Sequence, residues 1–173
     1  MPAEHSEGWA LHLRLGDVPV RVELGFFLVA ALLGASLGTL WAIAIWVAVV
    51  LVSVIVHELG HAVAMRLSGV SARIVLHGMG GLTIPAAAIA SRPKRIVVDL
   101  AGPVAALVLL GVPGAWLART LDDPGPLVEI ALLSMVWVNV AWSLVNLLPI
   151  LPLDGGNVTK ELLDVATDGH GEV

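Results

Sequence analysis

From Leu24 to Val56 the chain carries no charged residue, a run of 33 positions. One helix needs about 20 apolar residues to cross roughly 30 Å of hydrocarbon. The run is therefore too long for a single crossing, and Gly34-Ala35-Ser36-Leu37-Gly38-Thr39 supplies a break where closely spaced Gly and Ser favour a turn. Helices are expected over about 22–37 and 40–67, with further apolar stretches over about 96–118 and 127–148. The expected fold is an all-α polytopic membrane protein with about four transmembrane helices in one unit, 1–173. Composition agrees: 58% of residues are hydrophobic, 13% are charged and the mean hydropathy is +0.94, outside the range of soluble domains. A net charge of -5 with nine scattered Lys and Arg excludes a nucleic-acid surface, which needs a clustered basic face. Without cysteine there is no disulfide or thiolate site, so any metal must be held by His and carboxylates.

Charge placement gives an orientation. With the N-terminus cytoplasmic, Arg14, Arg21, Arg66, Arg73, Arg92, Lys94, Arg95 and Lys160 lie inside and only Arg119 outside, as the positive-inside bias requires. Residues 1–21 hold acidic and basic groups without a signal-peptide pattern and are expected to be a retained cytoplasmic segment, with 157–173 a cytoplasmic tail. Seven Arg against two Lys point to a bacterial cell membrane.

The second helix then carries His57-Glu58-Leu-Gly-His61 in its cytoplasmic half. Residues four apart lie on one helical face, so both histidines reach one ion, while Glu58 is placed to act on water as a general base. At membrane depth each ionisable group costs about 2.5–3.5 kcal/mol and marks function. Gly60 allows another helix or a substrate to approach closely. A catalytic zinc also needs a third protein ligand. Among His5, His12, His77, His170, Asp99 and Asp154, the best placed is Asp154, at the cytoplasmic end of the fourth helix. Pro149 and Pro152 should end that helix, and Gly155-Gly156 permits a tight turn.

The pairing of His57-Glu58-Leu-Gly-His61 with Asn146-x-x-Pro149-x-x-Pro152-Leu-Asp154-Gly-Gly, some ninety residues later, resembles the site-2 protease family of intramembrane zinc metalloproteases. The resemblance implies one zinc per chain held by His57, His61 and Asp154. It also implies that Asn146 positions substrate or stabilises the oxyanion; satisfying a carbonyl freed by the proline break is the alternative. Ala101-Gly102-Pro103 matches the start of the family's third core helix, but Ala106 stands where many members have Asn, so no catalytic role is expected there.

Residues 71–85 combine the extended-favouring Ile74-Val75-Leu76 and Leu82-Thr83-Ile84 with a glycine-rich centre, predicting a membrane-associated β-hairpin-like loop. Its edge can accept an unwound substrate as an added strand, which makes Gly80 and Gly81 candidate substrate-binding positions. Asn139 is expected to join helices, and Arg92-Pro93-Lys94-Arg95 to anchor at the lipid headgroups.

The expected activity is hydrolysis of peptide bonds in or near transmembrane segments. The resemblance implies single-span signalling proteins such as anti-sigma factors as substrates. Partners are thus membrane proteins and the bilayer, with no nucleic acid; oligomerisation is left open. A zinc transporter or an inactive relative are the alternatives, and Glu58 between the ligands argues against both. Family members commonly continue beyond the Leu-Asp-Gly-Gly motif into further helices or a regulatory domain, and the sequence leaves open whether such parts belong to this protein.

Overall fold

The computed structural model describes residues 9–166. Three helices are long and apolar enough to cross a membrane: α2 (Leu40–Leu67), α3 (Arg92–Thr120) and α4 (Pro126–Asn146), following a short helix α1 (Leu24–Leu33) and preceding a final helix α5 (Asp154–Ala166). The bounds of α2 are those expected. Helix α3 begins four residues before the apolar run because Pro93 sits in its first turn, where the missing N–H costs nothing.

The stretch expected as a first span over 22–37 is divided differently. Residues 22–23 complete a strand, and α1 stops after 10 residues, about 15 Å of helix against the ~30 Å of a bilayer core. At Gly34 a Cβ would meet the Trp46 ring, whose Cγ lies 3.0 Å away, and Trp46 Nε1 donates to the Ala30 carbonyl at 3.0 Å. The end of α1 is thereby tucked against α2.

A four-stranded sheet lies at one end of the helices, in the order β1 (Ala10–Leu15), β2 (Val18–Glu23), β3 (Ala72–His77), β4 (Gly80–Pro85). The hairpin expected over 71–85 forms β3 and β4, paired from Ala72↔Pro85 to His77↔Gly80. The N-terminal segment, expected only as a polar head, supplies the other two strands. Its signal was the alternation Leu11-His12-Leu13-Arg14-Leu15 and Val18-Pro19-Val20-Arg21-Val22, the period-2 pattern of a half-buried strand. Strands β2 and β3 are parallel (Val20↔Ile74), so α1 and α2 form the long crossover that parallel pairing demands. Val20, Val22, Ile74 and Leu76 project from one face of the sheet onto Phe26 and Ala62 as a shared core.

Helices α2, α3 and α4 pack together. Gly60 permits the closest approach: a Cβ there would lie 2.8 Å from Ala105 Cβ and 2.9 Å from the Ala101 carbonyl carbon. Asn139 joins helices as expected, donating from Nδ2 to Ser53 Oγ at 2.9 Å and to the Met135 carbonyl at 2.8 Å. Both α3 and α4 contain a five-residue π turn, Leu107–Gly111 and Trp137–Ala141, and the two turns are in contact.

After α4 ends at Asn146 the chain runs irregularly to Asp154, where the amphipathic helix α5 begins. Gly155 and Gly156, expected to permit a tight turn, lie instead at the start of a helix. Both glycines sit in the first turn of α5, because a Cβ at Gly155 would meet the Leu147 carbonyl and one at Gly156 would lie 2.5 Å from the Ile150 carbonyl carbon. They serve close backbone packing, and the expected tail is helical as far as Ala166; residues 167–173 lie outside the described residues.

Candidate metal centre

Helix α2 brings His57 and His61 onto one face, as their four-residue spacing requires, with their Nε2 atoms 3.1 Å apart. Asp154, the first residue of α5, straddles them: Oδ2 lies 3.2 Å from His57 Nε2 and Oδ1 lies 3.5 Å from His61 Nε2. The three side chains are buried or half-buried and can offer one ligand atom each to a common ion. Zinc bonds of about 2.0–2.1 Å in a tetrahedron set ligand atoms about 3.3 Å apart, so the observed separations fit zinc. Asp154 Oδ2 is buried without a hydrogen bond of good geometry, as expected of an oxygen whose partner is a metal. Burial pushes the Asp154 carboxyl up, but the adjacent His57 and His61 imidazoles outweigh it and bring it down to about 2.

Nothing in the residue pattern indicates what orients His61. Its Nδ1 lies 2.7 Å from the Val98 carbonyl of α3; a carbonyl only accepts, so Nδ1 carries the proton and Nε2 is left free to ligate. One turn further along α3, Gly102 lies beneath the same ring: a Cβ there would lie 2.6 Å from Cε1 and 2.7 Å from Cδ2. Helix α3, expected to have no catalytic role, thus orients His61 through its backbone, a property that reactive side chains alone do not reveal.

Glu58 is 5% exposed and lies under strand β4. The Thr83 hydroxyl sits 2.7 Å from Glu58 Oε2 and 3.0 Å from the Glu58 carbonyl. A Cβ at Gly81 would lie 2.5 Å from Glu58 Cγ, so only glycine lets β4 come this close. Gly80 has φ +126 and open space around it. Strand β4 pairs with β3 alone among the described residues, leaving its other edge at the margin of the sheet. Sequence reasoning identified the two glycines but missed Thr83.

The remaining candidates are not among the three clustered side chains. Asn146 is buried at the end of α4. His77 Nδ1 accepts the Met79 backbone N–H at 3.2 Å within its own turn, and His12 lies in β1. Asp99 sits on α3 beside Val98 and outside the three-residue cluster. His5 and His170 lie outside the described residues.

Known proteins resemble this chain in sequence and in fold. A model of the Peptidase M50B-like family matches residues 28–153. A protein of Synechocystis sp. named as a zinc metalloprotease is 34% identical over 170 residues, covering 88% of this chain and 44% of its own length. The zinc metalloprotease named Rip3 of Mycobacterium tuberculosis is 33% identical over 145 residues, covering 78% of this chain and 36% of its own. The chain therefore spans less than half the length of these curated relatives. The solved structure of the site-2 protease from Methanocaldococcus jannaschii matches with a TM-score of 0.67 at 23% identity, covering 91% of this chain and 73% of that one, which establishes likeness of fold.

Proposed function

The chain belongs to the peptidase M50B-like family of site-2-protease-type zinc metalloproteases, and on that premise we propose that it is an intramembrane endopeptidase. It hydrolyses peptide bonds in or near the transmembrane segments of other membrane proteins. The observation that carries this reading is the placement of Glu58 beside the His57–His61–Asp154 cluster and beneath an edge strand.

His57, His61 and Asp154 would hold one zinc ion, which would supply a Lewis acid able to polarise the scissile carbonyl and to lower the pKa of a bound water from 15.7 toward about 7. Glu58 takes the proton of the attacking water on a carboxylate oxygen and returns it to the leaving amine. The Thr83 hydroxyl holds Oε2 of that carboxylate. Asn146, buried at the end of α4, is the candidate donor to the oxyanion. A helical substrate hides its carbonyls, so it must unwind; the free edge of β4 offers backbone groups to which an extended segment can pair. Gly81 lets that strand approach Glu58 closely, and the space around Gly80 is open.

The distribution of Lys and Arg supports a cytoplasmic N-terminus and active-site side, in a bacterial membrane. Single-span signalling proteins such as anti-sigma factors are the proposed substrates. The test is reconstitution of the full chain in vesicles with a single-span substrate. Glu58→Gln should lower cleavage by about 100-fold or more while zinc stays bound. Equal cleavage by both proteins refutes Glu58 as the base. Zinc crossing the vesicle membrane with no cleavage by either protein refutes the protease reading.

A further inference from the structure

We propose that Arg95 and Glu161 form a positioning clamp that sets the direction of the third metal ligand, Asp154. This rests on the reading of His57, His61 and Asp154 as the zinc site, and extends it to Arg95 and to Glu161, the latter beyond the 28–153 that match the family model.

The direction of Asp154 is not inherited from α4. Between Asn146 and Asp154 the chain is irregular and contains Pro149 and Pro152, so no continuous helix transmits orientation from one side. The carboxylate belongs to α5, and α5 is held against α3 by a bidentate contact. Arg95 Nε donates to Glu161 Oε1 at 2.6 Å and Arg95 Nη2 to Oε2 at 2.7 Å. The fork is itself fixed, since Arg95 Nη1 donates to the Ile89 carbonyl at 2.8 Å and to the Ala90 carbonyl at 3.2 Å. Arg92 Nη1 reaches the Asp164 carbonyl at 3.5 Å. Two parallel bonds from a planar group define a direction as well as a distance.

The register places this contact where it controls the ligand. Seven residues separate Asp154 from Glu161, two turns of helix, so both lie on one face about 10 Å apart. On α3, Arg95 stands three residues before Val98, whose carbonyl orients His61. One helix thus sets both halves of the site, His61 from α2 and Asp154 from α5. The Gly155-Gly156 step fixes where α5 begins, and the clamp fixes the direction in which it leaves. A rotation of α5 by roughly 10° about its far end, about 18 Å away, would move the carboxylate by about 3 Å, more than an entire Zn–O bond.

The pair is partly exposed, at 32% for Arg95 and 14% for Glu161, so it contributes little to global stability. Its loss should appear in metal binding. The test uses the full chain in detergent, titrated with zinc against a chromophoric chelator, with the cobalt-substituted visible spectrum as a second readout. Glu161→Gln and Arg95→Lys should each weaken zinc binding by about ten-fold or more, within the range for groups that orient metal ligands, and should perturb the cobalt bands. The double reversal, Arg95→Glu with Glu161→Arg, should recover part of the affinity, while Lys160→Gln on the exposed side of α5 should leave it unchanged. Wild-type affinity and spectra in both single variants overturn the clamp, as does a double reversal no better than either single change. His61→Ala is run in parallel. If it keeps wild-type zinc affinity, the site assignment itself fails, independently of the clamp.

Discussion

Replacing Gly102 by alanine adds one methyl group to a helix, and the surroundings of that position make the consequence specific. The new Cβ would lie 2.6 Å from His61 Cε1 and 2.7 Å from Cδ2, where ordinary contact begins at 3.4 Å. Cε1 must therefore retreat by about 0.8 Å, and Nε2, which lies nearer still, by more, several times the ~0.2 Å tolerance of a metal–ligand distance. Moving α3 away instead would stretch the 2.7 Å bond between His61 Nδ1 and the Val98 carbonyl, which fixes the ring's tautomer. Zinc affinity should fall at least ten-fold, and cleavage by about 100-fold, as for a ~1 Å misplacement in an active site. Helix formation should not suffer, because alanine is favoured over glycine in a helix interior by about 1 kcal/mol. Gly114→Ala on the same helix is the control: its Cβ would meet Met135 at 3.2 Å to Cγ and 3.3 Å to Sδ, and a thioether chain can yield. The assay is chelator-competed zinc titration together with cleavage of a reconstituted substrate, on protein shown to be monodisperse. If Gly102→Ala binds zinc as tightly as Gly114→Ala and the wild type, close packing of α3 does not position His61.

Thr83→Val keeps the shape of the side chain and removes the hydroxyl that bonds Glu58; kcat should fall about ten-fold, equivalent to the ~1.4 kcal/mol expected for a hydrogen bond to a charged group, with zinc affinity unchanged, and single-turnover cleavage checks it. For Asp154→Asn the sign follows from a carboxyl brought down to about 2. Such a group is ionised throughout pH 5–8, and its contribution is lost only as pH falls toward that value. The variant should therefore weaken zinc binding across pH 5–8, measured by titration at several pH values; wild-type affinity at neutral pH would contradict the assignment.

Two parts of the fold were legible for different reasons. The 40–67 helix could be bounded from sequence because it is both uninterrupted and apolar, and lipid admits only a backbone that bonds within itself. The hairpin over 71–85 could be recognised from β-branched residues flanking glycines. Residues 10–23 were harder because their alternating Leu and Val are interleaved with charged and polar residues, and weighing charge for topology hid the period-2 pattern. The first apolar run met a similar limit. Its length counted residues correctly, but the point where α1 ends depends on Trp46 of the next helix bonding back to the Ala30 carbonyl.

By itself the sequence determined the chemistry that the chain can offer. Without cysteine, two histidines one helical turn apart at membrane depth leave a His-and-carboxylate site as the available metal chemistry, and only a few carboxylates could complete it. Sequence spacing could not bring Asp154 within 3.2 Å of His57, ninety-seven positions earlier, nor leave the Nε2 of His61 free for a metal. Those outcomes were decided by α3, whose Val98 carbonyl and Gly102 act through backbone position and absence of a side chain, and by the docking of α5. Backbone groups are present in every residue type, so their use becomes visible only when tertiary packing assigns each one a partner.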